Sequence, residues 1–173
     1  MLCNEFDPDR KALINPEEHL SPIPGFPEIC ILAFSSHIVE KCLERYGGEQ
    51  IAHVPFCTGP VPLYRVVMEG TPVVLGMPHV GAPAAVSFIE EVWPLGGKYF
   101  VFFGAAGVLD RNIPLNSFIL PTAAVRDEGL SYHYLPPAEE VALDPACVEA
   151  CRGALESLGL PFTQGKTWTT DAF

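Results

Sequence analysis

A mixed-sheet α/β domain flanked by helices is what this sequence predicts, and three observations carry the prediction. Apolar runs of strand length recur at 28–34, 51–56, 63–68, 71–77 and 99–103. Between and after them lie stretches of helical periodicity with recognisable starts and stops. The first run passes straight into such a stretch, which is how a βαβ unit begins. The run at 99–103 is unbroken, the pattern of a strand buried on both faces, and it ends in Gly104-Ala105-Ala106-Gly107. Small residues after a buried strand let backbone come close to a ligand.

The N-terminal 27 residues hold Pro16, Pro22, Pro24 and Pro27, so regular structure there is limited to a helical turn near 8–13 and an extended arm. The strand at 28–34 follows. Ser35-Ser36 offers an N-cap, Ile38, Cys42 and Tyr46 recur at helical spacing, and Gly47-Gly48 stops the helix. The next three β runs read as a meander, with Glu69-Gly70 as the turn between the last two. A second helix begins at Gly81-Ala82-Pro83, buries Ala84, Ala85, Phe88, Ile89 and Val92, and ends at Pro94 with Gly96-Gly97. After the glycine turn come β runs at 117–120 and 123–125, then an aromatic loop at 130–137 closed by Pro136-Pro137. Asp144 and Pro145 read as N-cap and first residue of a third helix with Cys147, Val148, Cys151, Leu155 and Leu158 on its apolar side and Gly159 as its stop. A last strand covers 162–168.

Length and charge narrow the function. A chain of 173 residues can bury a real core as one domain. A net charge of −11 argues against nucleic acid or an anionic membrane surface as partner, leaving a small molecule or another protein. No apolar run approaches the roughly 20 residues that span a bilayer, and the N-terminus is acidic, so a cytoplasmic protein is expected. The six cysteines show no Cys-x-x-Cys pair and no zinc pattern, so they are expected to be reduced and mostly buried, with no metal bound.

At FGAAGVLD (103–110), PTAAVRDEGLSYHYLPP (121–137) and TWTTDAF (167–173) the sequence resembles the nucleoside phosphorylase superfamily, in particular its uridine-phosphorylase-like branch. The resemblance runs in order from about Glu17 to the last residue. It implies a three-layer fold around a mixed, partly closed sheet, a homo-oligomer built as a dimer or a trimer of dimers, and cleavage of a nucleoside's glycosidic bond. It implies no cofactor, with inorganic phosphate as the candidate co-substrate. The domain so defined is 28–173, preceded by the arm at 1–27.

The resemblance also assigns roles. Gly104, Ala105 and Gly107 line base and ribose, Phe173 stacks on the base, and His19 reaches the ribose of a neighbouring subunit. Arg126 and His79 are further candidates near the ligand, although Arg126 beside Asp127 and Glu128 also reads as a structural ion pair, and His79 and His133 also read as local hydrogen-bonding groups. Asp171 is expected to cap or orient the loop leading to Phe173. Catalytic side chains are expected after Phe173, since relatives continue into a ribose-binding segment, and the domain is expected to be C-terminally incomplete.

The phosphate apparatus departs from the family's pattern. The Gly-Asp-Pro-x-Arg loop is replaced by Phe34-Ser35-Ser36-His37-Ile38, an arginine position holds Phe102, and a threonine position holds Ala105. Three contacts to an anion are thereby missing together. Phosphorolysis is the first reading. A nucleosidase using water, and a non-catalytic homologue that binds a nucleoside or serves a structural role, are the alternatives.

Overall fold

The computed structural model describes residues 5–115 and 117–172. It is a mixed α/β structure that divides into two compact units, residues 9–105 and, in the main, the chain from 106 onward.

The first unit contains β1 (Ile29–Ala33), α1 (Ser36–Tyr46), β2 (Glu49–Val54), β3 (Val61–Met68), β4 (Thr71–Gly76), α2 (Ala82–Leu95) and β5 (Tyr99–Phe103). Its sheet has the order β2-β3-β4-β1-β5. β1 runs parallel to β4 and β5, whereas β2, β3 and β4 form the antiparallel meander. Glu69 and Gly70 both take positive φ, 48° and 80°, which suits a tight hairpin between twisted strands. Ser35 caps α1 by accepting from the Ile38 N–H, and Gly47 closes it.

Alternation along the strands sends side chains to two cores. Cys30, Leu32, Leu63 and Val74 pack with Phe88, Val92 and Leu95 of α2 on one face. Ala33, Val66, Val73 and Leu75 pack with Val39 of α1 on the other. Helix, sheet and helix make three layers. Burial pushes the Cys30 thiol up to about 12, so it stays a neutral core group.

The second unit contains β6 (Phe118–Asp127), β7 (Glu140–Ala142), α3 (Pro145–Ser157) and β8 (Phe162–Thr170). Its three-stranded sheet has the order β7-β6-β8, with β6 antiparallel to β7 and parallel to β8. The two apolar runs expected at 117–120 and 123–125 are one strand. Pro121 lacks a donor, and the register slips between Pro121 and Ala123 so that pairing resumes beyond it. Asp144 caps α3 through the N–H groups of Ala146 and Cys147.

Four expectations need correction. No helical turn forms at 8–13; a 3-10 turn at Pro16–Glu18 takes its place, preceded by Asn15, whose side chain bonds both backbone groups of Ala12. β5, expected to be buried on both faces, is an edge strand of its sheet, and Tyr99 is 64% exposed. The apolar side of α3 holds no buried residue, with Leu158 69% exposed. Among the described cysteines only Cys30 is buried; Cys42 is half-buried and Cys57, Cys147 and Cys151 are exposed. For β5 and α3 the local pattern is apolar, but the partner surface is a tertiary matter.

Candidate functional site

In the first unit the carboxyl ends of parallel strands β1 and β5 lie side by side, with Ala33 opposite Phe103. Open α/β sheets place ligands beyond such ends. Here the Phe34 N–H donates to the Phe103 carbonyl, and the Phe34 ring stacks on Phe102 with centroids 5.7 Å apart and planes at 22°. Gly104 fits beneath this pair: a Cβ on it would come within 3.2 Å of the Phe34 ring. The glycine is therefore explained locally by the approach of Phe34, and Ala105 follows it exposed. Apolar rings occupy the positions where the resemblance expects an anion's partners.

His79 is half-buried. Its Nε2 lies 3.1 Å from Thr58 Oγ1, and its ring meets Phe56 edge-on. His19 is exposed and closes the 3-10 turn through its backbone N–H to Pro16. An open apolar groove in the same unit is lined by Leu20, Ile23, Ile51, Val54 and Leu95 among others, with His53 and Glu91 beside them; its lining includes none of Gly104, Ala105, His19 or His79.

The second unit holds Gly107, Arg126, His133 and Asp171. Gly107 is exposed, with open space where a side chain would stand. Phe173 lies outside the described residues. Arg126, near the end of β6, is only 6% exposed. Its Nε donates to Ser131 Oγ at 2.8 Å, and its terminal nitrogens donate to the carbonyls of Pro136 at 2.7 Å and Leu135 at 3.2 Å. Tyr132 lies against the guanidinium, 4.3 Å from ring centroid to Cζ, and its hydroxyl donates to the Arg126 carbonyl. These bonds gather the 130–137 loop around one buried cation. They go to a hydroxyl and carbonyls, where the sequence suggested an acidic neighbour.

Glu128 completes this cluster. Its carboxylate accepts from the N–H groups of Leu130 and Ser131 at 2.8 and 2.9 Å and from the Ser131 hydroxyl. Desolvation raises its pKa, but the hydrogen bonds from Ser131 and Leu130, with the nearby Arg126 charge, together outweigh it and hold the carboxyl below its ordinary value. Asp171 accepts from the Gly129 N–H at 3.1 Å, and Trp168 Nε1 donates to Asp127 at 3.0 Å. The parts of Trp168, Ser131 and Tyr132 were not legible in the sequence: Trp168 meets Asp127 from forty-one positions away, and Ser131 and Tyr132 meet Arg126 in a loop whose path no spacing rule gives.

No group of three or more His, Cys, Asp or Glu side chains gathers to hold a metal among the described residues. Nor is any described helix long and apolar enough to cross a membrane.

Comparison with known proteins adds the family. A model described as the phosphorylase superfamily matches residues 28–173. The uridine phosphorylase of Escherichia coli K12 is 29% identical over 110 residues, which cover 64% of this chain and 44% of that enzyme. That of Thermococcus kodakarensis is 31% identical over 105 residues, covering 61% of this chain and 38% of the relative. The chain thus aligns with less than half the length of these curated relatives. The solved uridine phosphorylase of Vibrio fischeri ES114 superposes with a TM-score of 0.75 at 22% identity, covering 90% of this chain and 67% of that one, a likeness of fold.

Proposed function

The chain belongs to the phosphorylase superfamily, and from that premise we propose that the protein cleaves the N-glycosidic bond of a nucleoside with inorganic phosphate as acceptor. A phosphate oxygen bonds to C1′ of the sugar, the bond from C1′ to the base nitrogen breaks, and the base leaves with a proton. The products are a sugar 1-phosphate and a free base. The observation that carries this reading is the family match across residues 28–173, and the uridine phosphorylases among the relatives support a pyrimidine nucleoside as the first substrate to try.

Gly104, Ala105 and Gly107 as pocket floor, Phe173 as base platform and His19 as a contact to a neighbouring subunit's ribose belong to the same proposal, with Arg126 in a supporting place behind the 130–137 loop. A homo-oligomer is part of it too. The exposed Tyr99 and Val101 of β5 and Leu158 after α3 support that element, since monomers rarely leave such apolar surface open. A cytoplasmic setting is supported by the free state of the five described cysteines.

The test is product analysis with uridine and guanosine, with and without phosphate. Base and sugar 1-phosphate formed only when phosphate is present are expected. Free sugar released at the same rate without phosphate would replace phosphate by water as acceptor. Light scattering checks the oligomer, and a stable monomer would remove it.

A further inference from the structure

We propose that Leu13 and Ile14 form a knob that docks in the apolar groove beside β2 and α2 of a second copy of this chain, so that two copies exchange arms across a two-fold axis. The homo-oligomer proposed above is the premise, and what is added is the segment and the surface that build it.

The arm has two parts with opposite fates. Beyond the 3-10 turn it is packed down: Leu20 and Ile23 lie against the core that holds Leu95, and the Ile23 N–H donates to the Leu95 carbonyl at 3.0 Å. Before the turn, Leu13 is 102% exposed and Ile14 73%. These two side chains are held in place. Asn15 is buried, and its side chain accepts the Ala12 N–H at 3.0 Å and donates to the Ala12 carbonyl at 2.9 Å, closing a tight loop with Leu13 and Ile14 at its tip. A further bond from Asn15 to Glu18 at 3.2 Å ties the loop to the turn. A buried polar side chain thus holds two apolar ones out in water. Such a tip gains free energy when it is covered, and being ordered already it loses little entropy in docking.

The same unit carries a matching receptor. Its open groove, about 270 Å³, is lined by Leu20, Ile23, Ile51, Val54 and Leu95 and has room for two four-carbon side chains. Residues 51–54 of β2 line it in unbroken succession. Side chains alternate between the faces of a strand, so the groove runs along the strand's edge, and β2 is an edge strand. The half-buried Glu91 of α2 also lines the groove, while the exposed Arg10 and Lys11 stand just before the knob. Two copies of net charge −11 repel on average, so a cation brought to an acidic rim favours this contact over others. The exposed knob does not fill the groove of its own chain. A second copy can supply it, and a two-fold axis makes the contact twice.

The experiment uses the full chain. Leu13 is replaced by the photoreactive p-benzoylphenylalanine, isotopically light and heavy chains are mixed and irradiated, and crosslinked peptides are identified by mass spectrometry. Light-to-heavy crosslinks to 51–54 or 91–95 are expected. Sedimentation over a concentration series gives the dissociation constant of the dimer, expected to rise about a hundredfold in Leu13→Asp, since each dimer loses two buried leucines, and about three- to tenfold in Arg10→Glu. Both positions are exposed in the single chain, and circular dichroism checks that the variants stay folded. Crosslinks only within one chain, or only to another surface, would overturn the docking and leave a homo-oligomer standing. Wild-type dissociation in either variant would overturn it as well. A wild-type chain that stays monomeric throughout would remove the homo-oligomer and the docking together, without bearing on the nucleoside chemistry.

Discussion

The two units are held by different physics. Residues 9–105 bury apolar side chains on both faces of a five-stranded sheet, each face covered by its own helix. From 106 onward the apolar burial is slight: Leu120 and Ala123 are buried, α3 buries nothing, and the most buried charged group, Arg126, organises a polar cluster. The first unit therefore draws its stability from area removed from water, which is non-directional and insensitive to pH. The second draws it from a long parallel ladder and from directional bonds to one cation, which specify geometry more than they add stability.

Core truncation should break the comparison most. Phe88 is fully buried between Leu32, Leu63 and Val74 of the sheet and its own helix, and Gly76 leaves room for its ring. Phe88→Ala should cost about 3–5 kcal/mol, read as a fall in the urea midpoint with loss of exchange protection throughout 29–103. If protection there survives, the first unit does not depend on that core.

Next in size is Arg126→Met, which keeps volume but deletes every donor. The carbonyls of Leu135 and Pro136 would lose their partners, at about 1–3 kcal/mol. Loss of exchange protection should concentrate in 126–137 and leave β1 to β5 untouched. A uniform loss across both units would show that they do not behave separately.

The smallest effect is the pH response of Glu128. Its folded pKa lies below the ordinary 4.5, so the stability it contributes is present above that value and is lost as pH falls through the lower, folded one. Exchange protection at Leu130 and Ser131 should fall on acidification below about 4.5, and Glu128→Gln should flatten that dependence. An unchanged profile in Glu128→Gln would remove the carboxylate from the cluster's account.

Much of the secondary structure was legible in the sequence because its signals are local. Ser35 and Asp144 cap helices through bonds within three residues, Glu69-Gly70 turns a hairpin by its own φ values, and Phe88 and Val92 share a helix face by period alone. The candidate site was legible only by resemblance. Gly104 stood out as a small residue after a strand, yet its close neighbour proves to be Phe34, seventy positions earlier. Arg126 looked like one charge among others, and its burial depends on carbonyls nine and ten residues away in a loop whose path no propensity encodes.

What the sequence by itself determined, then, is the kind and order of most elements, where they cap and turn, and the family to which their motifs belong. Tertiary structure alone decided which strands neighbour one another, that the apolar run of β5 ends at a sheet edge, that two runs flanking Pro121 form one strand, and that β8 joins β6 rather than the first sheet. The physical reason is that caps, turns and periodicity act within a few residues. Strand pairing and the burial of a charge are settled instead by competition among surfaces far apart in the chain.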